Sequence, residues 1–198
     1  MSKIGSITVG RMIFENTEIA KAIFGNAVVF QKGGREPITE EITVVPSKYD
    51  TVNSVYYNFN NPTRGYTDTE SSTYSQANLT RGEGAETHIY YGFDFSAIPA
   101  NATINSVTVK SRAYISNTTA TNVASRGQNV CKGTTVVGDN TTVSNNTTVR
   151  DLDSGSSWTR AELDTLQVHV FATRGTANTT STYYLRFYGA EVTVNYTY

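Results

Sequence analysis

From His88 to Ile115 the chain holds two long runs in which apolar side chains fall on every second position. Ile89, Tyr91, Phe93 and Phe95 make up the first. Val107, Val109, Ser111, Ala113 and Ile115 make up the second, with Thr108, Lys110, Arg112 and Tyr114 between them. Alternation at period two places one face of a strand on a core and the other in water. Pro99 and a cluster of Ala, Asn and Ser residues separate the runs, so the chain must reverse or cross over there. Strands this long bury their apolar faces by packing against a second sheet, and a β-sandwich is expected around them.

Upstream, a strand over 42–45 ends at Pro46, and Val55, Tyr57 and Phe59 alternate in another that ends at Asn60, Asn61 and Pro62. Residues 64–78 read as a polar loop with room for one edge strand. Residues 116–129 and 138–148, rich in Asn, Thr, Ser and Gly, read as rim loops around short strands at Val130 and at Val136 and Val137, with room for a weak edge strand within either. Thr159 with Glu162 three positions later is a capping box and marks the one short helix. Leu166, Val168, Val170 and Ala172 then alternate with Gln167, His169 and Phe171. In the closing run the apolar register moves from odd to even positions near Gly189, which predicts a bulge there. The 13 tyrosines suit a pleated surface. The expected fold is all-β, a two-sheet sandwich of jelly-roll type preceded by a short N-terminal β-hairpin arm.

That arm carries an internal repeat. Ile13-Phe14-Glu15-Asn16-Thr17 is followed ten residues on by Ile23-Phe24-Gly25-Asn26-Ala27. Each copy is an apolar pair and a turn pair containing Asn, and Gly25-Asn26 suits a two-residue hairpin. Small ribbons of this kind need a partner surface. A simple edge hairpin of the main domain is one reading; a docking arm is preferred, because residues 32–37 (KGGREP) read as a linker. The expected organisation is a docking arm over 1–33, a linker over 34–41 and the sandwich over 42–198. Docking is expected to run through Ile13, Phe14, Ile19, Ile23, Phe24 and Val29.

Several function classes are disfavoured. Sixteen basic against 17 acidic residues leave a net charge of −1, and no dense basic run suggests a nucleic-acid partner. Cys131 is the only cysteine, which removes an intrachain disulfide or a multi-cysteine zinc site. No apolar run reaches about 18 residues, so no membrane span is expected. The opening MSKIGSITVG lacks the apolar core of a signal peptide, so Sec-type export is not expected either. His88 and His169 have no partner at ligand spacing, and none of the common hydrolase, zinc-protease, phosphate-loop or calcium-loop motifs is present. No catalytic residue, metal or cofactor is assigned, and the chain is not expected to be an enzyme.

Binding residues are suggested by two patterns. The pairs Tyr90-Tyr91 and Tyr183-Tyr184 put one ring on each face of a sheet, and Tyr90 and Tyr183 are taken as contact candidates. Arg64, Arg81, Arg126 and Arg174 each follow Thr or Ser and precede Gly. On one rim four such arginines would bind an anionic group. The structural alternative, which is preferred, has each glycine in a left-handed turn and each arginine on a neighbouring carboxylate or carbonyl. Trp158 invites sugar stacking, but its place just before a capping box favours a core anchor.

The decapeptide repeat resembles the short arms of tailed-bacteriophage and prophage structural proteins, which read as aromatic-Gly-Asp/Asn turns between apolar residues and attach a protein to the virion. The first copy departs from that pattern at Glu15. Leu79-Thr80-Arg81-Gly82 with Tyr90-Tyr91-Gly92-Phe93, residues 98–104 (IPANATI), Trp158-Thr159-Arg160-Ala161-Glu162-Leu163 and the Tyr-rich terminal strand look like sandwich domains of such proteins. The resemblance implies a virion component of tail, fibre or appendage type, homo-oligomeric, partnered by other virion proteins and displaying its sandwich for host attachment. The alternative it leaves open is a carbohydrate-binding module for a bacterial surface glycan, since Ile-Pro followed by Ala-Thr-Ile also occurs in secreted carbohydrate-binding sandwiches.

Overall fold

Both copies of the repeat form hairpins. A computed structural model of the chain describes residues 13–14, 17–18, 21–24, 27–31, 37–52, 59–80, 85–153, 155–177 and 180–198. β1 (Ile13–Phe14) pairs with β2 (Thr17–Glu18), and β3 (Lys21–Phe24) pairs with β4 (Ala27–Gln31), both antiparallel. Phe14 opposes Thr17 and Phe24 opposes Ala27, so the two copies share one register. Of the expected docking residues, Ile19 lies outside the described residues. The chain divides into two compact units, Met1–Pro37 and Ile38–Tyr198.

The second unit is a two-sheet sandwich with antiparallel pairing throughout its named strands. Its strands are β5 (Thr39–Val44), β6 (Lys48–Val52), β7 (Ser75–Leu79), β8 (Ala85–Tyr91), β9 (Thr103–Ile115), β10 (Val123–Lys132), β11 (Thr135–Thr141), β12 (Val149–Asp153), β13 (Leu166–Arg174) and β14 (Tyr183–Thr197). One sheet has the order β11-β10-β13-β8-β6; the other has the order β12-β9-β14-β5, with β7 also beside β14. Except for the β10–β11 hairpin, successive strands change sheets at each step, the winding of a jelly roll.

β9 places Val107, Val109, Ser111, Ala113 and Ile115 inward, as its alternation predicts, and all five are buried. β13 buries Leu166, Val168, Val170 and Ala172 against them. Ser111 Oγ donates to Gln128 Oε1 at 2.6 Å, joining the two sheets through a satisfied polar pair. The expected bulge lies at Gly189, where the β14–β9 register shifts between Phe187 and Gly189. β7 covers residues 183–187 of β14 and β5 covers 192–197. Thr67 fills the gap between them: its carbonyl accepts from Ala190 N at 3.1 Å and its hydroxyl donates to the Tyr188 carbonyl at 2.8 Å. A Cβ on Gly189 would meet the Thr67 and Asp68 carbonyl oxygens at 2.4 and 2.3 Å, so only glycine lets that loop close the edge.

Three expectations are corrected. β5 begins at Thr39, inside the stretch expected as linker, because Ile38 exchanges backbone hydrogen bonds with Tyr198 and each residue from 39 to 44 has a partner on β14. Residues 123–129, read as loop, belong to strand β10, paired along its length with β13. Their polar side chains obscured this, yet Gln128 and Asn129 are buried with hydrogen-bond partners. The inward face of β8 is His88 and Tyr90, opposite Val170 and Val168, whereas Ile89 and Tyr91 point the other way. The strand stops at Tyr91, and Gly92 at φ +72°, a conformation that favours glycine, redirects the chain so that Phe93 and Phe95 still reach the core. The strand expected around Val55 and Tyr57 lies outside the described residues.

Candidate functional site

Arg186 sits in the first half of β14, between Leu185 and Phe187, both fully buried. Because those neighbours face the core, Arg186 faces outward, and its cross-strand partners Gln76 on β7 and Tyr114 on β9 share that face. Gln76 Oε1 accepts from Arg186 Nε at 2.8 Å, and Gln76 Nε2 donates to Asn78 Oδ1 at 3.0 Å. Three tyrosine rings surround the guanidinium, with its carbon 4.4 Å from the centroid of Tyr74, 5.5 Å from Tyr114 and 5.9 Å from Tyr184. Each contact lies within cation–π range.

Tyr74 is positioned by a second cation–π layer. Its ring meets Tyr188 edge-on at 5.3 Å, and Arg112 lies 4.6 Å over Tyr188. Arg112 donates through Nη1 to the Thr69 and Ser71 carbonyls at 3.2 and 3.1 Å and through Nε to the Thr147 carbonyl at 2.9 Å. It therefore ties two loops to β9 and stiffens the platform. Further along the same face, β5 and β14 offer a polar array: Thr43 to Thr193 at 2.9 Å and Thr39 to Thr197 at 3.0 Å, with Asn105 donating to Asn195 and Thr197.

The residues proposed from sequence fall elsewhere. Tyr90 is wholly buried: its ring stacks on Phe187 at 4.2 Å, its hydroxyl shares a 2.6 Å hydrogen bond with Ser75, and burial raises its phenol pKa strongly. Tyr183 is half-buried against the core, so the outward rings of the two pairs are Tyr91 and Tyr184. Tyr90 and Tyr183 are thus the inward members of their pairs. Arg174 is buried under Tyr183, 4.4 Å from its centroid, and donates to the Asn122 and Ser181 carbonyls. Arg126 donates to the Val143 carbonyl at 3.0 Å. Both follow the structural reading of their motif. Arg64 is exposed on a short 3-10 helix, Pro62–Gly65. Arg81 lies outside the described residues. The glycines follow a different logic from the one expected. Gly65, Gly127 and Gly175 have no positive φ, but a Cβ on them would strike the Tyr90 ring at 2.5 Å, the Phe171 ring at 2.5 Å and the Thr121 carbonyl at 2.2 Å.

Cys131 and His169 form a contact between nucleophile and base types, with Sγ 3.5 Å from Nδ1. Burial raises the thiol pKa to about 11 and lowers that of the imidazole. Both shifts favour the neutral pair, opposite to the thiolate–imidazolium state that nucleophilic catalysis uses. Cys131 in the native protein is expected to react with iodoacetamide at about pH 8 far more slowly than in the urea-unfolded chain; equal rates would show an accessible thiol. Among the described residues no three His, Cys, Asp or Glu side chains gather as metal ligands, and no helix is long and apolar enough to cross a membrane.

No protein-family model matches the chain, and no curated protein matches it at a significant level. The tyrosine–arginine face comes from strands far apart in sequence, and its only early trace is Arg186 standing between two core positions in a Tyr-rich strand.

Proposed function

We propose that the protein is a structural component of a tailed-bacteriophage particle, anchored through residues 1–33 and displaying its sandwich at the particle surface for host adsorption. One observation carries this reading: the chain separates at Pro37 into two units, and the first holds two hairpins of matching register ten residues apart. An isolated two-stranded ribbon is marginal in water, so a tandem pair calls for a surface to dock on. The sandwich has a hydrophobic core of its own, drawn from residues 59–196, which suits it to being carried at the end of an anchor. Other virion proteins and further copies of this chain are the partners this role requires. Deleting residues 1–36 is expected to leave a folded sandwich with an unchanged melting temperature that is no longer recruited to particles. Unfolding of the truncated chain, or recruitment at the full level, would sink the docking role.

A second reading, compatible with the first, is that the displayed sandwich binds carbohydrate. It is favoured by the outward platform of Tyr74, Tyr114, Tyr184 and Arg186.

A further inference from the structure

We infer that the outer face formed by β7, β14 and β9 binds a carboxylate-bearing polysaccharide, with Arg186 gripping the carboxylate. The inference rests on the carbohydrate reading of this face and gives it a ligand class. Arg186 is held by Gln76 at Nε and by three tyrosine rings, so most of its side-chain freedom is lost before any ligand arrives. Its two terminal nitrogens meet no acceptor among the described residues. Among the described residues no carboxylate stands opposite it: the facing positions are Gln76 and Tyr114, and the outward acid further along β14, Glu191, is opposed by Lys110. The other outward arginine of the platform, Arg112, has three backbone carbonyls to itself. A guanidinium without a counter-ion among the described residues, its terminal nitrogens open there, is a planar fork suited to donating two parallel hydrogen bonds to a carboxylate.

The surroundings fit a polyhydroxylated chain better than an acidic peptide. The hydroxyls of Tyr74, Tyr114 and Tyr184 have no partner among the described residues, and Asn78 is oriented beside them by Gln76. They offer donors and acceptors at the margins of flat rings, the surface a pyranose packs on. Among the described residues the groups that meet around Arg186 are rings and amides, with no aliphatic side chain among them to grip a peptide's apolar residues.

The test is titration of the full-length protein with hexagalacturonate, with maltohexaose as the neutral sugar and with hexaglutamate as a peptide of equal charge. Hexagalacturonate is expected to bind at least about tenfold more tightly than either, and to weaken as salt rises from about 0.05 to about 0.5 M. Arg186→Gln should lose at least about tenfold, and Arg186→Lys, which keeps the charge without the fork, should lose a large part of that. Tyr114→Phe and Tyr184→Phe leave the ring stack intact and are expected to weaken binding by about twofold or more. Full affinity in Arg186→Lys, or in both Phe variants, would overturn the geometry assigned here. Hexaglutamate binding as tightly as hexagalacturonate would overturn the choice of polysaccharide. Maltohexaose binding equally well, and unchanged in Arg186→Gln, would remove the acidic ligand and leave the carbohydrate reading standing. Binding of none of the three would remove both.

Discussion

Replacing Tyr90 by alanine is expected to destabilise the protein by about 3–5 kcal/mol, the range for deleting a buried aromatic ring. The ring is fully buried, stacks on Phe187 at 4.2 Å, and has Tyr49, Phe59 and Tyr66 within 6.2 Å. Gly65 lies against it so closely that no rearranged side chain can fill the vacated space from that side without moving the 3-10 helix. In a domain of this size the loss corresponds to a fall in melting temperature of about 6–20 °C. Tyr90→Phe keeps the ring and removes two hydrogen bonds, the 2.6 Å one to Ser75, whose hydroxyl still has the Phe187 carbonyl at 3.3 Å, and the longer one at 3.4 Å to the Pro62 carbonyl. That variant is expected to cost only about 0.5–1.5 kcal/mol. Urea denaturation with an unchanged slope would measure both. A Tyr90→Ala protein with wild-type stability and lost ligand binding would return this residue to the role that sequence reasoning gave it.

Trp158→Ala is expected to cost a similar amount, about 3–5 kcal/mol. Trp158 is buried just ahead of the short helix α1 (Arg160–Leu163), whose capping box is complete: Thr159 N donates to Glu162 Oε2 at 2.7 Å and Glu162 N to Thr159 Oγ1 at 3.3 Å. The indole Nε1 donates to Asp153 Oδ2 at 2.9 Å, and Asp153 is itself buried, its other oxygen accepting from Gly155 N and Ser156 N. Alanine therefore removes both a ring from the core and a donor from a buried carboxylate. Trp158→Phe separates the two effects, since it retains an aromatic ring; the missing donor alone should cost about 1–3 kcal/mol. Lys132 Nζ lies over the ring, 4.7 Å from its centroid. Lost glycan binding with unchanged stability would mean that the indole serves a ligand after all.

In the binding role proposed above, the two faces of the terminal strand divide the work. Leu185 and Phe187 hold β14 in the core, and Arg186 between them carries the charge outward, so the platform is as rigid as the sheet beneath it. A site built on paired strands keeps its geometry better than one built on rim loops. That is why the outward face, and not the rim of Arg-Gly loops, is the better place to look for recognition.

Periodicity and local chemistry by themselves determined the sandwich, the inward faces of β9 and β13, the bulge at Gly189, the capping box and the anchoring role of Trp158. Each depends on residues within a few positions of one another, where side-chain direction follows from strand or helix geometry. Tertiary structure decided the rest. One glycine at φ +72° separated Tyr91 from Phe93 and reversed the face assigned to β8, and pairing with β13 together with buried hydrogen bonds made a strand of the polar stretch 123–129. The platform itself joins Tyr74 and Gln76, Tyr114, and Tyr184 and Arg186 across three strands, and no local pattern encodes which residues will stand opposite one another once the sheet has formed.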